Sequence, residues 1–273
     1  MAALGASVAG AIVAVGGCHY CTRVEPQSLS LERVRISLDN LPFAMEGLTL
    51  VQMSDFHLYP FTGIDLVRRA VALTNDLAAD LVFLTGDYVF AEAEAIFDLA
   101  PILANLKAKQ GVFSVLGNHD LWTDARLVRT GLENVGIPVL LNQGVGLQVG
   151  GQSLYVAGLE DGWHGHPDLD RALAQRPGDV PTILLIHEPD WADQVSRDGR
   201  VSLQLSGHSH GGQVRLPGIG APILPHLGRK YDQGLYRVND MWLYTNRGIG
   251  VIAPPLRFRC PPEITEITLV GRN

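Results

Sequence analysis

The chain has 273 residues, of which 47% are hydrophobic and 18% are charged, a balance that is ordinary for a globular protein with a sizeable core. Its net charge of -7 and its sequence pI of about 5.7, with no basic stripe, exclude a general nucleic-acid surface, which needs clustered Lys and Arg to displace counterions. Three cysteines do not make a disulfide scaffold.

Residues 1–22 carry no charged side chain and are dominated by Ala, Gly and Val. This is roughly the length that a helix needs to cross about 30 Å of hydrocarbon. We favour a retained membrane anchor, because the segment lacks the basic start of a signal peptide. This interpretation predicts a membrane-associated protein and leaves the side of the membrane open. The alternatives are a cleaved signal peptide, a lipoprotein signal ending at Cys18, and a buried helix rich in Ala and Gly.

The next segments predict a sheet with crossover helices. Arg33–Leu38 alternates polar and apolar residues, as an edge or half-buried strand does. Helices are predicted at 64–79, 93–107 and 124–135, each between two short apolar runs that are typical of buried strands. This order indicates a parallel sheet in the first half of the chain.

Beyond Gly136 the pattern changes to short strands with little helix between them, which predicts a second sheet. Strands are expected at 138–141, 146–149 and 153–157, short helices at 168–175 and 191–197, and further strands around Tyr236, Leu243 and Ile267. The sequence shows no linker or repeat. We therefore expect one domain over residues 30–273, with two sheets packed face to face and helices outside.

Five of the apolar runs end directly in Asp, Asn or His. These endings are Asp55 and His57 after 48–53, Asp87 after 81–85, Asn118 after 112–116, His187 after 182–186, and His208 and His210 after 201–205. The carboxyl edge of the sheet is where open α/β folds bind their ligands. Asp55 and His57 are two residues apart, as are His208 and His210, so in an extended chain each pair would project to one side.

These oxygen and nitrogen ligands include no thiolate, which suits Mn, Fe, Zn or similar cations. Seven ligands are too many for one ion and enough for two, if one carboxylate bridges. Two ions about 3.5–4 Å apart can generate hydroxide near neutral pH and clamp a phosphoryl group. Phosphate esters are therefore the expected substrates.

The motifs resemble those of the calcineurin-like metallophosphoesterases, in the order of that family. They are Ser54-Asp55-Phe56-His57, Gly86-Asp87, Gly117-Asn118-His119-Asp120, His187 and Gly207-His208-Ser209-His210. Gly207–Gln213, together with Asn246–Gly250 and Pro262–Ile264, resembles a branch of membrane-attached bacterial phosphoesterases related to enzymes that cleave UDP-diacylglucosamine. The resemblance covers roughly residues 30–270. It implies a four-layer αββα sandwich, in which two packed mixed sheets are flanked by helices.

The resemblance also implies a role for each motif residue. One metal would take Asp55, His57, Asp87 and His210, and the other would take Asp87, Asn118, His187 and His208, with Asp87 bridging. His119 would protonate the leaving oxygen, a transfer for which an imidazole is chemically suited, and Asp120 would orient its ring. The nucleophile would be metal-bound hydroxide.

The expected function is hydrolysis of a phosphodiester or pyrophosphate bond through hydroxide bound to a dinuclear metal centre. Mn²⁺ is the favoured metal, with Fe, Zn or Mg as alternatives, and lipid-linked and nucleotide molecules are candidate substrates. A general phosphomonoesterase and a non-catalytic metal-binding scaffold of the same fold are the alternatives. The oligomeric state is left open.

Three further features each have two interpretations. His164 and His166 are favoured as part of a solvated loop overhanging the site, against a substrate-binding or third-metal role. Arg247 would hold a substrate phosphate with its planar fork of donors or form a structural ion pair. Residues 219–227, which are rich in apolar side chains and Pro, would dock lipid or form a capped loop. In addition, position 90 is Phe where many relatives have an acidic residue, which puts any outer support of the metals from that position in doubt.

Overall fold

Two β-sheets pack face to face in this computed structural model, which describes residues 16–271. The strands are β1 (Ser30–Leu38), β2 (Thr49–Met53), β3 (Leu81–Leu84), β4 (Val112–Ser114), β5 (Gln143–Val149), β6 (Gln152–Gly158), β7 (Thr182–Leu185), β8 (Leu203–Ser206), β9 (Gly234–Val238), β10 (Met241–Thr245) and β11 (Glu263–Gly271). The α-helices are α1 (Ile64–Asp76), α2 (Ile96–Leu103), α3 (Asn118–Thr123), α4 (Ala125–Asn134), α5 (Leu169–Ala172) and α6 (Ala192–Val195).

The first sheet has five strands in the order β1-β11-β2-β3-β4. Strands β2, β3 and β4 are parallel, and α1 and α2 provide the crossovers between them. The last strand, β11, inserts antiparallel to β2 and parallel to β1. The predicted parallel sheet with crossover helices is therefore confirmed.

The second sheet has six strands in the order β5-β6-β7-β8-β10-β9. Its central strands β6, β7, β8 and β10 are parallel, and the edge strands β5 and β9 are antiparallel to their neighbours. Both sheets are thus mixed, as expected. In each sheet the parallel strands direct their carboxyl ends to one edge.

Side chains on the central strands alternate between two buried layers. On β2, Leu50 packs between the sheets, whereas Val51 packs under the helices of the first sheet. On β7, Ile183 faces the other sheet and Leu184 faces the layer of α5 and α6. Because such strands are buried on both faces, they read as continuous apolar runs. The layers are helix, sheet, sheet and helix, which confirms the αββα sandwich.

Two local predictions are wrong. Residues 138–141 are not a strand, since they form only an isolated bridge between Ser114 and Val139, and Pro138 has no N–H to extend the pairing. The helix predicted at 93–107 is shorter, because a 3-10 turn at Ala93–Ala95 precedes α2. Beyond its end, the Asn105 side chain caps the carbonyl oxygen of Pro101 at 2.8 Å.

The predicted membrane-associated localisation is wrong, because within residues 16–271 no helix is long and apolar enough to cross a membrane. Such a helix takes about 20 residues. Residues 1–15 of the predicted anchor lie outside the described residues. The rest of that segment is helical, continuing through a π-helix at Tyr20–Val24 into a 3-10 helix at Glu25–Gln27. There the buried Glu25 carboxylate accepts a hydrogen bond from the Cys260 N–H at 2.6 Å, which ties this stretch to the loop before β11.

Candidate metal centre

The seven predicted metal ligands lie at the facing edges of the two sheets. Asp55 and His57 follow β2, Asp87 follows β3, Asn118 begins α3 after β4, His187 follows β7, and His208 and His210 follow β8. All seven side chains belong to buried residues. The sandwich therefore brings together residues that are up to 155 positions apart in the sequence.

One group of candidate ligands consists of Asp55, His57 and His210, whose ligand atoms lie within 4.8 Å of one another. The Nε2 atom of His210 is 3.2 Å from Oδ1 of Asp55 and 2.9 Å from Nε2 of His57. Two imidazole nitrogens this close cannot both carry a proton, so one proton or one cation must serve both. This group fits a cation site.

A second group consists of Asp87, His187 and His208, again within 4.8 Å. The Nε2 atom of His187 is 3.1 Å from Oδ2 of Asp87, and Nε2 of His57 approaches the same oxygen at 3.4 Å. Asp87 therefore lies between the two groups, where a bridging ligand would stand. The buried Oδ1 of Asn118 has no hydrogen-bond partner, which fits a ligand whose partner is a metal.

Hydrogen bonds to backbone carbonyls fix the orientation of two imidazole rings. The Nδ1 atom of His187 is 2.6 Å from the oxygen of Thr85, and Nε2 of His208 is 2.6 Å from the oxygen of His226. These contacts leave the opposite nitrogen of each ring to face a cation, which is the usual arrangement around metal-bound histidines.

Most of these ligands adopt left-handed backbone conformations. The φ values are 52° for Asp55, 43° for His57, 57° for Asp87, 70° for His208 and 52° for His210. Such conformations are uncommon for non-Gly residues and collect at functional sites. The chain is therefore not extended at these residues, and the side chains of each pair converge because the backbone turns sharply after the strands.

Two glycines let the backbone approach the carboxylates closely. A Cβ atom at Gly117 would overlap Oδ1 of Asp87, and one at Gly207 would overlap Oδ2 of Asp55. Neither residue has a positive φ, so space alone, not backbone freedom, requires glycine there.

Burial and charge divide the imidazoles into two kinds. Burial lowers the pKa of His57 and of His208 to about 4, which keeps both neutral at pH 7, as metal ligands must be. Burial also opposes the charged form of His187, but the charges of Asp87 and Asp55 raise its pKa well above the usual value. Although burial disfavours ionised carboxylates, His210 holds the pKa of Asp55 well below its usual range.

His119 stands beside the metal ligands. Its ring centroid is 4.6 Å from that of His57, and its backbone N–H donates to Oδ1 of Asp87 at 2.8 Å. Its Nδ1 atom is 3.0 Å from the carbonyl oxygen of Phe90, and the two rings stack at 5.2 Å. Nε2 is thereby left as the nitrogen that can exchange a proton at the site.

The predicted role of Asp120 is wrong, because its carboxylate does not orient the His119 ring. It accepts hydrogen bonds from four backbone N–H groups, those of Asp87, Tyr88, Val89 and Gly117. Burial and the charge of Asp87 raise its pKa to about 8, against these donors, which favour the ionised form. Asp120 ties the loop after β3 to the start of α3, and Phe90 takes over the orienting role.

Several contributors were missed in the sequence. Phe90 occupies the position where the lack of an acidic side chain put outer support of the metals in doubt. Its carbonyl oxygen and its ring both contact His119. Trp122 lies one helical turn beyond, with its ring 4.5 Å from His119, and contacts Trp163 at 5.4 Å. Phe90 follows Asp87 by three residues and Trp122 follows Asp120 by two, and this closeness to the motifs was the signal in the sequence that could have identified them. Together they form an aromatic rim on one side of the candidate metal centre.

The loop that carries His164 and His166 reaches the site through Trp163, whose ring is 5.9 Å from that of His208. The loop is fixed by Asp161, which accepts from the N–H groups of Trp163 and His164, and by Glu188, which accepts from Gly162. Among the described residues, the groups able to hold a metal include neither His164 nor His166.

The guanidinium of Arg247 is engaged by two carboxylates. Its Nη2 lies 2.5 Å from Oε1 of Glu32, and its Nε bonds to Oε2 of Glu263. This geometry favours the structural ion pair. A role for Arg247 in holding substrate phosphate stays a prediction.

Comparisons with known proteins agree with this arrangement. Residues 48–212 match the family model described as calcineurin-like phosphoesterase. The chain is 34% identical over 276 residues to the "Uncharacterized metallophosphoesterase YkuE" of Bacillus subtilis (strain 168), covering 98% of this chain and 95% of that protein. It is 33% identical over 265 residues to the "Phosphodiesterase YaeI" of Escherichia coli (strain K12), covering 93% of this chain and 92% of that protein. This chain therefore belongs to the calcineurin-like phosphoesterase family and is a hydrolase that acts on phosphoester bonds.

Proposed function

We propose that the protein hydrolyses a phosphodiester or pyrophosphate bond at a dinuclear metal centre. The observation that carries this proposal is the position of Asp87, which lies 3.4 Å from a nitrogen of one ligand group and 3.1 Å from a nitrogen of the other. When bound, two divalent cations would neutralise charge on the phosphoryl group and make water a nucleophile near neutral pH. Mn²⁺ is the metal we favour, with Fe, Zn or Mg as alternatives.

The ligand assignment follows the two groups. Asp55, His57, Asp87 and His210 would hold one cation, and Asp87, Asn118, His187 and His208 would hold the other. The unpartnered, buried Oδ1 of Asn118 supports the second set. A donor set of this kind, all oxygen and nitrogen, suits borderline divalent metals.

His119 would carry the proton that the leaving oxygen needs. The Phe90 carbonyl holds its Nδ1, so the transferable proton would be on Nε2. Phe90 and Trp122 both pack against the ring, which limits its rotation and its contact with water. A positioned histidine of this kind contributes about 10²–10⁴-fold to a hydrolysis rate.

We favour a diester or pyrophosphate over a monoester. The relative in Escherichia coli that is named a phosphodiesterase aligns with 93% of this chain. The aromatic rim formed by Trp122 and Trp163 lies, through Trp122, beside His119, where it would contact the leaving group.

The test is hydrolysis by the full chain, stripped of metal and then reloaded with Mn²⁺. The substrates are bis-p-nitrophenyl phosphate, p-nitrophenyl phosphate and pyrophosphate, and bound metal is measured alongside. We expect two ions per chain, activity only with metal, and a preference for the diester or pyrophosphate. Preference for the monoester would support a general phosphomonoesterase. A folded, metal-loaded protein that hydrolyses none of the three would support the scaffold alternative.

A further inference from the structure

An apolar pocket of about 420 Å³ shares residues with the candidate metal centre. His208 and His210, which are both buried, line it. Aliphatic side chains and prolines form most of the remaining wall, among them Val214, Leu224 and Ile252. The pocket therefore joins a polar, metal-binding end to an apolar body.

One wall of this pocket is fixed by Gln213. This buried side chain donates from Nε2 to the carbonyl oxygens of Ile252 at 3.2 Å and Pro254 at 3.3 Å, and its Oε1 accepts from the Ile252 N–H at 2.7 Å. Gln213 follows His210 by three residues, so it locks the 252–254 wall onto the loop that carries a metal ligand.

The other wall is fixed by close backbone packing. Gly212 has a φ of 76°, and a Cβ atom there would overlap Ala221. The segment 222–225 therefore lies directly against the turn after His210. Both walls of the pocket are built on the ligand loop, so their distance from the metal centre is set before any ligand binds.

The mouth of the pocket exposes a large apolar side chain. Ile223 lines the pocket and is 79% exposed. Exposed apolar surface beside a concave site commonly marks a binding region, and an apolar cavity holds water poorly. An occupant must be apolar along most of its length and must end at His208 and His210.

We propose that this pocket binds the hydrocarbon chain of an amphiphilic phosphoester whose phosphoryl group lies at the metal centre. The proposal rests on the proposed function and names the substrate class for it. A flexible chain meets both requirements, because it buries apolar area in the pocket while its head group reaches the metals. Trp122 of the aromatic rim lies beside His119 and does not line this pocket, so the two substituents of a diester would occupy different walls.

The first readout is binding, which does not depend on turnover. Full-length, Mn²⁺-loaded protein is titrated calorimetrically with alkylphosphonates of one, two, four, six and eight carbons, below the concentrations at which they form micelles. Burial of each methylene is expected to lower Kd up to about fourfold until the pocket is filled. The second readout is kcat/KM for p-nitrophenyl alkyl phosphodiesters with the same chains, which should rise in parallel.

Ile223→Asn and Ile219→Asn form a matched pair for this test. Both isoleucines belong to the same loop and are highly exposed, at 79% and 74%, but only Ile223 lines the pocket. Ile223→Asn should reduce the total gain from one to eight carbons by about tenfold, since it removes part of the apolar wall. Ile219→Asn should keep the gain of the original protein.

The outcomes separate this proposal from the function on which it rests. A chain-length gain in binding that depends on Ile223 supports the pocket, even if no diester is hydrolysed, in which case the proposed function fails alone. Hydrolysis with no chain-length gain overturns the pocket and leaves the proposed function standing. Equal losses in both isoleucine variants overturn it as well, since the gain would then come from general contact with the exposed loop. Failure of every phosphonate to bind, together with no hydrolysis of any diester, overturns both.

Discussion

The two sheets contribute different chemistry to one site. The five-stranded sheet supplies both carboxylates, the amide of Asn118 and one imidazole, whereas the six-stranded sheet supplies only imidazoles. Each carboxylate meets an imidazole from the opposite sheet: Asp87 meets His187 at 3.1 Å, and Asp55 meets His210 at 3.2 Å. The site is thus an electrostatic pairing across the sandwich, and neither sheet contains it alone.

This division shows what holds the site together. The apolar layer between the sheets includes Phe83 and Leu205, each one residue from the end of its strand. This layer sets the distance between the carboxylates of one sheet and the imidazoles of the other. Protein interiors are packed too densely for the two sheets to move independently. The geometry of the metal centre is therefore inherited from the packing of the two sheets.

Asp87→Asn should break the pairing most severely. The substitution keeps the shape of the side chain but removes the charge that lies between both ligand groups. Because bound metal supplies several kcal/mol of transition-state stabilisation, we expect at least about a 10³-fold loss of kcat/KM. Metal content should fall below two ions per chain.

Asp65→Asn, on an 87% exposed side chain of α1, is the matched control and should retain both the activity and the two bound ions. Full activity with two bound ions in Asp87→Asn would refute a bridging role.

His119→Ala should separate the proton donor from the metal ligands. We expect kcat to fall by about 10²–10³-fold while metal content is unchanged, because the backbone N–H that bonds to Asp87 survives the substitution. The loss should be larger for an alkyl leaving group than for p-nitrophenolate, which departs readily without a proton. His166→Ala, in the loop that also carries Trp163, is the control. A loss that is the same for both leaving groups would contradict the role of proton donor.

Gly117→Ala should weaken the carboxylate part of the site without removing a charge. The added Cβ would overlap Oδ1 of Asp87, and overpacking of this kind costs about 1–3 kcal/mol, or about 5–150-fold in metal affinity. Gly146→Ala is the control, since a Cβ at Gly146 meets nothing within 4 Å. Calorimetric titration of both variants with Mn²⁺ checks this, and equal affinities would show that the Asp87 carboxylate can shift without loss.

The ligand residues could be predicted from the sequence because they follow apolar strands, and parallel strands end at one edge of a sheet. The backbone conformation at these residues could not be predicted. Asp55 and His57 converge through left-handed turns, and nothing in a sequence without glycine at those positions signals a positive φ. The bonds of Asp120 to the N–H groups of residues 87–89 were also hidden, since they join segments about thirty residues apart.

The fold was predictable in type more than in detail. Apolar runs buried on both faces identified the strands and the two sheets, but the run at 138–141 was misassigned because a single bridge to Ser114 replaces a full pairing. The N-terminal segment shows the limit of composition. Its apolar residues predicted an anchor, whereas within residues 16–271 no helix is long and apolar enough to cross a membrane, and Glu25, just beyond the segment, bonds to the Cys260 N–H.

The pH dependence of metal binding tests, at His187, the pairing between the two sheets. Despite burial, Asp87 and Asp55 raise the pKa of His187 well above its usual value, so His187 holds a proton at neutral pH when no cation is bound. A cation must displace that proton, whereas His57 and His208, with pKa values of about 4, are already neutral. Metal binding should therefore release about one proton, and metal affinity should fall about tenfold per pH unit below the pKa of His187.

Calorimetry in buffers of different ionisation enthalpy counts the released protons. Asp87→Asn removes the main charge that holds the proton, so its proton release should drop. Binding that releases no proton in the unmodified protein would mean that carboxylates of one sheet do not charge the imidazole of the other.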